Sequence, residues 1–338
     1  MASIKEIAKI CGVSVATVSK ALNDKADISE ETKNHIKEVA KQMGYVPQYY
    51  ARAIRLNRSF NLGVLFMDEA LSGLTHDYFA NILNSFKVTA EACGYDITFI
   101  NSDNHYKKRK TYLEHCRYRG LDGVVIACIN FDNDEVRELV DSDVPVVTID
   151  HSFENCTSVV SNNVEGMRDL VDYIITMGHT RIAYISGENS AVTRQRIDSY
   201  YQTMQKHGLS IPAEYHISAK YRNLTLARKY TKQLLELPEP PTCIIYPDDF
   251  SAVGGIGQLH EMGKVVAEDI SVAGYDDLTI AGQLRPRLTT VHQDTEMIGK
   301  IAAESLIAMI ANKTDGKVKR LVVDSRLEKG QSIMPLKK

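Results

Sequence analysis

The sequence lacks the features that mark membrane, secreted and metal-binding proteins. No apolar run reaches the roughly 18 residues that a transmembrane helix needs, and the N-terminal segment MASIKEIAKI carries charges within its apolar pattern, unlike a signal peptide. The six cysteines are widely spread and form no Cys-x-x-Cys pair, which argues against a zinc site and against a disulfide framework. We therefore expect a soluble, cytoplasmic protein without a metal.

Motifs of several common enzyme classes are also missing. The sequence has no Gly-x-Ser-x-Gly nucleophile elbow, no P-loop and no His-Glu-x-x-His helix, and its ten histidines form no ligand-spaced pair. The glycine-rich stretch at 254–263 lacks the spacing of a dinucleotide site and indicates helix packing. We expect no catalytic residues and no cofactor.

The chain's 338 residues are enough for two or three domains, and its charge is unevenly distributed. Residues 1–60 carry ten Lys or Arg against six Asp or Glu, whereas the remainder carries 30 against 37. A basic head on an acidic body suggests that the head alone binds a polyanion.

Three short helices are predicted in the head. Ser3 followed by Glu6 forms a capping box, and Gly12 ends the first helix. Ser14 caps a second helix and Ser29 a third. The stretch VSVATVS alternates like a strand, but a strand there would have no partner, so we interpret it as helix. Two helices joined by a tight glycine turn predict a helix-turn-helix unit.

The second helix has residues suited to reading bases. Val15 and Ala16 offer methyl groups to thymine, and Lys20 can donate to guanine O6 and N7. Thr17 and Ser19 have the size for phosphate or base contacts. On spacing alone, an equally good alternative is that Val15 belongs to the core and Lys20 is only solvated.

From residue 62 onward, short apolar runs alternate with helical patterns. The runs LGVLF, DITFI, GVVIA, VPVVTI, RIAYIS, TCIIY and ISVAG are typical of buried parallel strands. Strands that alternate with helices predict a doubly wound α/β body, and its length suggests two lobes.

Polar residues follow these runs, at the strand ends where such sheets bind ligands. They are Asp150, Asn162, Asn163, Arg194, Arg196, Asp248, Asp249 and Asp276. Carboxylates, amides and guanidinium groups suit a ligand rich in hydroxyls. Helix caps and ion pairs between loops would also explain several of them, Asp249 especially.

The head stretches IKEIAKICGVSVATVSKALND and SEETKNHIKEVAKQMGYVPQYYARAI resemble the LacI/GalR family of bacterial transcription regulators. The resemblance implies that Val15, Ala16 and Lys20 read bases, although Lys20 stands where arginine is common. It also implies a hinge helix that begins near Gln48 and inserts Ile54 into the minor groove. The DNA-binding set is then Ser14, Val15, Ala16, Thr17, Ser19, Lys20, Asn23, Tyr45, Ala51, Arg52 and Ile54.

The body stretches GHTRIAYISG, ISVAGYDD and PRLTTVHQDTEMIGKIAAESL resemble the same family, whose effector domain is like a periplasmic binding protein. The resemblance makes Arg196 and Asp276 the principal effector-binding pair. It implies secondary contacts or pocket walls for Tyr78, Phe79, Asp150, Asn162, Tyr221 and Asp249. Tyr221 would stack on a sugar ring, or else only pack in its loop.

The predicted fold is therefore α/β with an N-terminal three-helix head. We expect a helix-turn-helix domain at 1–47, a hinge helix and linker at 48–60, and an effector-binding and dimerisation domain at 61–338. Its lobes are predicted at 61–160 with 292–320, and at 161–290 with 321–333.

These patterns predict a sequence-specific DNA-binding transcription regulator, a repressor of carbohydrate genes. It would act as a homodimer on a pseudo-palindromic operator, controlled by a sugar or sugar derivative bound between the lobes. One alternative is a family regulator driven by a protein corepressor or a non-sugar ligand. More distant ones are a sugar-processing enzyme and a transporter's solute-binding protein, although the latter would lack the head.

Overall fold

The computed structural model describes residues 3–45, 58–67, 73–100, 110–311 and 317–336. These residues fall into two compact units, the head within residues 1–59 and the body from residue 60 onward. No helix among the described residues is long and apolar enough to span a membrane.

The head consists of three helices: α1 Ile4–Cys11, α2 Val15–Leu22 and α3 Glu30–Gln42. The predicted caps are confirmed. Ser3 and Glu6 form a reciprocal capping box, and Gly12 ends α1 with φ of 65°. The Ser14 side chain accepts from the third residue of α2, as Ser29 does in α3.

The core of the head is built from one face of each helix. Ile7, Val18, Ala21 and Ile36 are all fully buried and pack in one cluster. Val15 lies outside that cluster and is 42% exposed. The stretch that alternates like a strand is therefore a helix with Val18 inward, and the alternative that placed Val15 in the core is wrong.

The first lobe of the body is a six-stranded parallel sheet with helices on both faces. Its strands lie in the order β11-β5-β4-β3-β1-β2. They are β1 Asn61–Phe66, β2 Asp96–Ile100, β3 Gly123–Ala127, β4 Val146–Ile149, β5 Thr157–Ser161 and β11 Arg320–Val323. Its helices are α4 Asp77–Ala92, α5 Tyr112–Arg119, α6 Asp134–Val140 and α12 Thr295–Ile310, with a 3₁₀ turn at Gly73–Thr75.

The second lobe is built on a four-stranded parallel sheet in the order β7-β6-β8-β9. The strands are β6 Ile182–Ser186, β7 His216–Ser218, β8 Cys243–Ile245 and β9 Ser271–Ala273. The helices are α7 Asn163–Thr176, α8 Ala191–Lys206, α9 Leu224–Leu235, α10 Asp249–Glu261 and α11 Thr279–Gln283, with a 3₁₀ turn at Ala213–Tyr215. The seven predicted apolar runs all contain strands of these two sheets.

The chain passes between the lobes three times. It enters the second lobe between β5 and α7, and it returns between β10 (Thr290–Gln293) and α12. It leaves again between β11 and β12 (Ser325–Glu328), which pairs antiparallel with β10. Two of the crossing segments are thus joined by a ladder of hydrogen bonds.

The structure differs from the predicted lobe boundary at residue 320. All four residues of β11 pair with β5 of the first lobe, in the register Arg320↔Ser158 to Val323↔Ser161. This strand lies at the edge of the sheet and only Val323 in it is buried, so its sequence lacks the pattern of a buried strand. The third crossing lies after this strand rather than before it.

In the first lobe α12 packs against α4, and this contact depends on Gly299. A Cβ atom on Gly299 would lie 2.3 Å from the carbonyl oxygen of Ile82 and 2.8 Å from the amide nitrogen of Phe86. Both of these are backbone atoms, which cannot rotate away. The absence of a side chain at Gly299 therefore sets the distance between the two helices.

We expect Gly299→Ala to lower the free energy of unfolding by about 1–3 kcal/mol, since overpacking forces the two backbones apart. The measurement is urea denaturation of the full chain. Gly282→Ala is the matched control, because it is also a helical glycine but has no atom within 4 Å of its Cβ position. That control should be neutral or gain up to about 1 kcal/mol from helix propensity. Equal losses in both variants would contradict the packing argument.

Candidate functional site

A chain of polar contacts connects the two lobes of the body. The Tyr78 hydroxyl, at the start of α4, donates to Asp150 Oδ2 at 2.9 Å and lies 3.5 Å from Gln293 Oε1. The Gln293 amide in turn donates to Asp276 Oδ1 at 2.6 Å. Asp150 follows β4 of the first lobe, whereas Asp276 follows β9 of the second. The carboxyl ends of both sheets thus meet through Gln293.

Arg196, on the first turns of α8, adds further polar contacts within the second lobe. Its Nε donates to Asn163 Oδ1 at 2.8 Å, and one Nη donates to the Pro247 carbonyl at 3.3 Å. The other Nη lies 4.0 Å from Asp276 Oδ1, and the guanidinium centre lies 3.5 Å above the ring of Tyr275. Only 3% of the side chain is exposed. We call Tyr78, Asp150, Asn163, Arg196, Asp276 and Gln293 the interlobe network.

The interlobe network is rich in buried carboxyl groups. Burial raises the pKa of Asp276 to about 7, against the lowering effect of Arg196; Asp248 and Asp150 raise it further by repulsion. Burial also raises the pKa of Asp150, while the Tyr78 hydroxyl and Arg196 act in the opposite direction. Carboxyl groups whose pKa is raised by burial are typical of functional sites.

Two of these carboxyl groups are held by strained backbone. Asp150 has φ of 61° and Asp276 has φ of 102°, both in the region that favours glycine. Residues other than glycine persist there only when their surroundings fix them. The surrounding structure therefore fixes where these two side chains lie.

Tyr221 is fixed at one side of the second lobe. Its ring lies against Gly187, where a Cβ atom would come within 2.3 Å of it, and its hydroxyl is 2.9 Å from the Thr193 hydroxyl. Its amide donates to Glu188 Oε2 at 2.8 Å. The flat ring is thus held rigidly, as a stacking surface would be.

Three predicted effector residues have other contacts. Asp249 is fully buried, and its two oxygens accept from the Thr290 hydroxyl at 2.6 Å and from the Leu278 amide at 2.7 Å. It thus joins the start of α10 to β10 and to the residue before α11 by neutral hydrogen bonds, not by the ion pairs between loops that the alternative expected. Asn162 caps α7 through Glu165. Phe79 packs edge-on against Tyr78 rather than joining the network.

Three residues of this region are not among the effector contacts predicted from the sequence. Asn163 follows the same strand as Asn162, but it is the one that binds Arg196. Gln293 lies in the run VHQDTE, and the end of a strand was the signal that could have selected it. Tyr275 immediately precedes Asp276 and supplies the ring under the guanidinium. No cluster of three or more metal-ligating side chains occurs among the described residues.

In the head, α2 presents an exposed face at its N-terminal turn. Val15 and Ala16 are exposed, and the hydroxyls of Ser14 and Thr17 lie 2.9 Å apart at the cap. Lys20, further along, pairs with Asp27 at 2.5 Å in an exposed ion pair. Such a pair is worth little in water, so a phosphate or base can replace Asp27 as the partner of Lys20.

The remaining predicted DNA-binding residues differ in their surroundings. Ser19 is half-buried and its carbonyl accepts from the Asn23 amide at 2.6 Å. Tyr45 is half-buried against the head core. Ala51, Arg52 and Ile54 lie outside the described residues, as does the predicted hinge helix.

A three-helix head with an exposed second helix, in one chain with a two-lobed α/β body that holds a buried polar network, defines a class. It is the class of DNA-binding regulators that respond to a small ligand.

Sequence comparisons agree with that class. Residues 3–48 match the family of bacterial regulatory proteins, lacI family, and residues 171–333 match a periplasmic binding protein-like domain. The chain is 31% identical over 314 residues to the probable HTH-type transcriptional repressor ExuR of Bacillus subtilis, covering 92% of both chains. It is 29% identical to the HTH-type transcriptional repressor PurR of Vibrio atlanticus, covering 94% of both. The chain belongs to the lacI family of bacterial regulatory proteins.

Solved structures show the same fold. The lac repressor dimer bound to operator and the anti-inducer ONPF matches with a TM-score of 0.84 at 21% identity, over 98% of this chain and 99% of that one. The complex of the transcriptional regulator CelR with cellobiose matches with a TM-score of 0.71 at 23% identity, over 98% of this chain and all of that one.

The raised pKa of Asp276 predicts how stability changes with pH. Between the ordinary value of 3.8 and about 7, the folded protein holds a proton that the unfolded chain releases. The contribution of Asp276 to stability is therefore lost as pH rises through that window. We expect Asp276→Asn to reduce the loss of stability between pH 5 and pH 8 by on the order of 2 kcal/mol. Chemical denaturation at both pH values measures it.

Asp143→Asn is the control for that prediction, because Asp143 is an exposed carboxylate paired with Arg117. It should leave the difference between pH 5 and pH 8 unchanged. An Asp276→Asn variant with the parent's pH dependence would show that Asp276 is ionised in the folded protein at pH 5.

Proposed function

We propose that this chain is a sequence-specific transcriptional repressor that binds a pseudo-palindromic operator as a homodimer in the cytoplasm. The observation that carries the proposal is the division of α2 into an exposed face, with Val15 and Ala16, and a buried face, with Val18 and Ala21. Exposed methyl groups at the start of a recognition helix fit thymine methyls in the major groove. Relatives named as HTH-type repressors support the same role.

In this proposal the N-terminal turn of α2 contacts the DNA most closely, through Ser14, Val15, Ala16 and Thr17. Lys20 lies one turn further on and exchanges Asp27 for a base or a phosphate. Ser19, Asn23 and Tyr45 border that face. Ala51, Arg52 and Ile54 belong to the proposal as part of a hinge that inserts Ile54 into the minor groove.

We expect Lys20→Ala to weaken binding to the selected operator by about 1–3 kcal/mol and to relax the preference at one base pair in each half-site. The operator is first obtained by selection from random duplexes with the full chain. Mobility shifts against single-base variants at several salt concentrations then measure the preference.

Lys5→Ala is a control for charge alone, since Lys5 lies on α1 and not on the recognition helix. It should leave base preference unchanged. Uniform weakening by Lys20→Ala on all sequences, with a smaller salt slope, would make Lys20 a phosphate contact instead.

We further propose that the interlobe network binds a small sugar or sugar derivative, with Arg196 and Asp276 as its principal partners. In the second lobe Arg196 has fixed donors and Asp276 an acceptor, and in the first lobe Asp150 has an acceptor, so a ligand with several hydroxyls bridges the two sheets in this proposal. Tyr221 would stack on a ring face. Among the structural neighbours, CelR is in complex with cellobiose and a regulator from Enterococcus faecium holds ribose.

A non-sugar ligand or a protein corepressor is the second candidate. Relatives named PurR align over 94% of this chain at 28–29% identity, so the same fold serves regulators with different names. A sugar-processing enzyme is the more distant one, and release of product from a bound sugar would reveal it.

A thermal-shift screen of the full chain against sugars and sugar phosphates tests the effector proposal. A true effector in large excess should add about 3–4 kcal/mol of stability. We expect Arg196→Ala to abolish that gain while the head still binds DNA. Arg194→Ala is the matched control, because Arg194 lies on the same helix and is exposed, with Asn189 as its partner. An unchanged gain in Arg196→Ala would remove Arg196 from the site.

A further inference from the structure

Arg222 of the second lobe reaches the first lobe. It lies in the loop between β7 and α9, and one Nη donates to Asp77 Oδ2 at 3.4 Å, the other to the Thr75 carbonyl at 3.3 Å. Asp77 is the first residue of α4, and Thr75 ends the 3₁₀ turn before it. Both acceptors belong to the first lobe, so the guanidinium joins the lobes directly.

The Arg222 side chain is held in place by its own lobe. Its amide donates to Asp248 Oδ2 at 2.8 Å, and its guanidinium centre lies 4.5 Å above the ring of Phe250. Its φ of 53° is unusual for arginine, and only 9% of its side chain is exposed. The arginine is thus pre-positioned, and little further ordering is needed when the first lobe approaches.

The carboxylate of Asp77 makes it favourable for the Arg222 guanidinium to lie against the first lobe. The amino end of α4 carries a partial positive charge, which would repel a guanidinium. The carboxylate of Asp77 in the first turn reverses the sign of that end of the helix. Asp77 is 57% exposed, so its gain from Arg222 depends on the lobes being close.

In the sequence, both residues of the contact are next to predicted effector residues, one in each lobe. Tyr78 directly follows Asp77 and donates to Asp150, and Tyr221 directly precedes Arg222. Movement that separates Arg222 from Asp77 therefore moves Tyr78 away from Tyr221 as well. The contact reports on closure of the lobes around the network.

One donor of Arg222 is left over. Its Nε is buried and has no hydrogen-bond partner among the described residues. A buried donor without an acceptor is unfavourable, so a ligand oxygen placed there would favour the closed arrangement.

We propose that Arg222 and Asp77 form a latch that stabilises the closed lobes, and that an effector which supplies an acceptor to Arg222 strengthens it. The latch itself needs no effector; its link to a ligand rests on the proposed effector site. A latch of this kind shifts the equilibrium between open and closed lobes by the free energy of the pair.

Hydrogen exchange of the full chain without added ligand tests the latch. The amides to follow are those of Tyr221 and Arg222, which donate to Glu188 and Asp248, and that of Ala80 in the first turns of α4. We expect Arg222→Gln and Asp77→Asn each to speed exchange in both segments by about threefold or more, because opening exposes them. Arg222→Lys, which keeps the charge but not the two parallel donors, should lie between parent and Arg222→Gln.

The double variant Arg222→Gln with Asp77→Asn removes a contact that either single change already breaks, so it should speed exchange no more than about as much as one single variant does. Arg117→Gln is the control, because it breaks an exposed ion pair with Asp143 inside one lobe. It should change exchange in neither segment. Effects of Arg222→Gln confined to its own loop, or double-variant effects that merely add, would overturn the latch.

Because this experiment contains no sugar, its outcome is separate from that of the thermal-shift screen. If the exchange variants show coupling between the lobes but no sugar stabilises the chain in the screen, the latch is supported and the sugar effector is rejected. If a sugar stabilises the chain but the exchange variants show no coupling, the sugar effector is supported and the latch is rejected.

Discussion

The arrangement of the loops in the body depends on the partners of one buried guanidinium, that of Arg196. A guanidinium that is 3% exposed must find partners on every side, and Arg196 has an amide, a carbonyl, a carboxyl and an aromatic ring around it. Those partners come from the start of α7, the end of β8 and the end of β9. Because the donors of a buried guanidinium need acceptors, this side chain fixes the relative positions of three loops. The same requirement brings Asp276 to the point where the first lobe begins.

Local chemistry explains why the head could be predicted almost completely. The capping interactions join residues within one helical turn, as for Ser3 with Glu6, Gly12 and Ser14. Neighbouring positions in the sequence are therefore enough to predict where these helices begin and end. The strands of the body were equally clear, since buried parallel strands are continuous apolar runs. Arg196 and Asp276 were assigned through family resemblance, and the structure brings them within 4.0 Å. Their binding of an effector stays a prediction.

What the sequence did not reveal depends on contacts far apart in the chain. Asp249 reads like a strand-end ligand, yet its oxygens are used by residues about 30 and 40 positions away. β11 is half-exposed, and only its pairing with β5 places it in the first lobe. Arg222 meets Asp77 across 145 positions, and neither residue has a local pattern that suggests the other. Such pairs become visible only when the sheets are assembled.

The ladder between β10 and β12 has a consequence for the way the lobes can move. Two of the three crossing segments are hydrogen-bonded to each other, with Gln293 opposite Ser325 at the point of passage. Segments that share a ladder cannot twist independently, so sliding and swivelling are resisted while bending across the pair remains soft. The ladder therefore favours bending about the crossing segments as the way in which the lobes move, which is the geometry of a hinge. A change in one contact near the crossing is then transmitted mainly as rotation about that hinge.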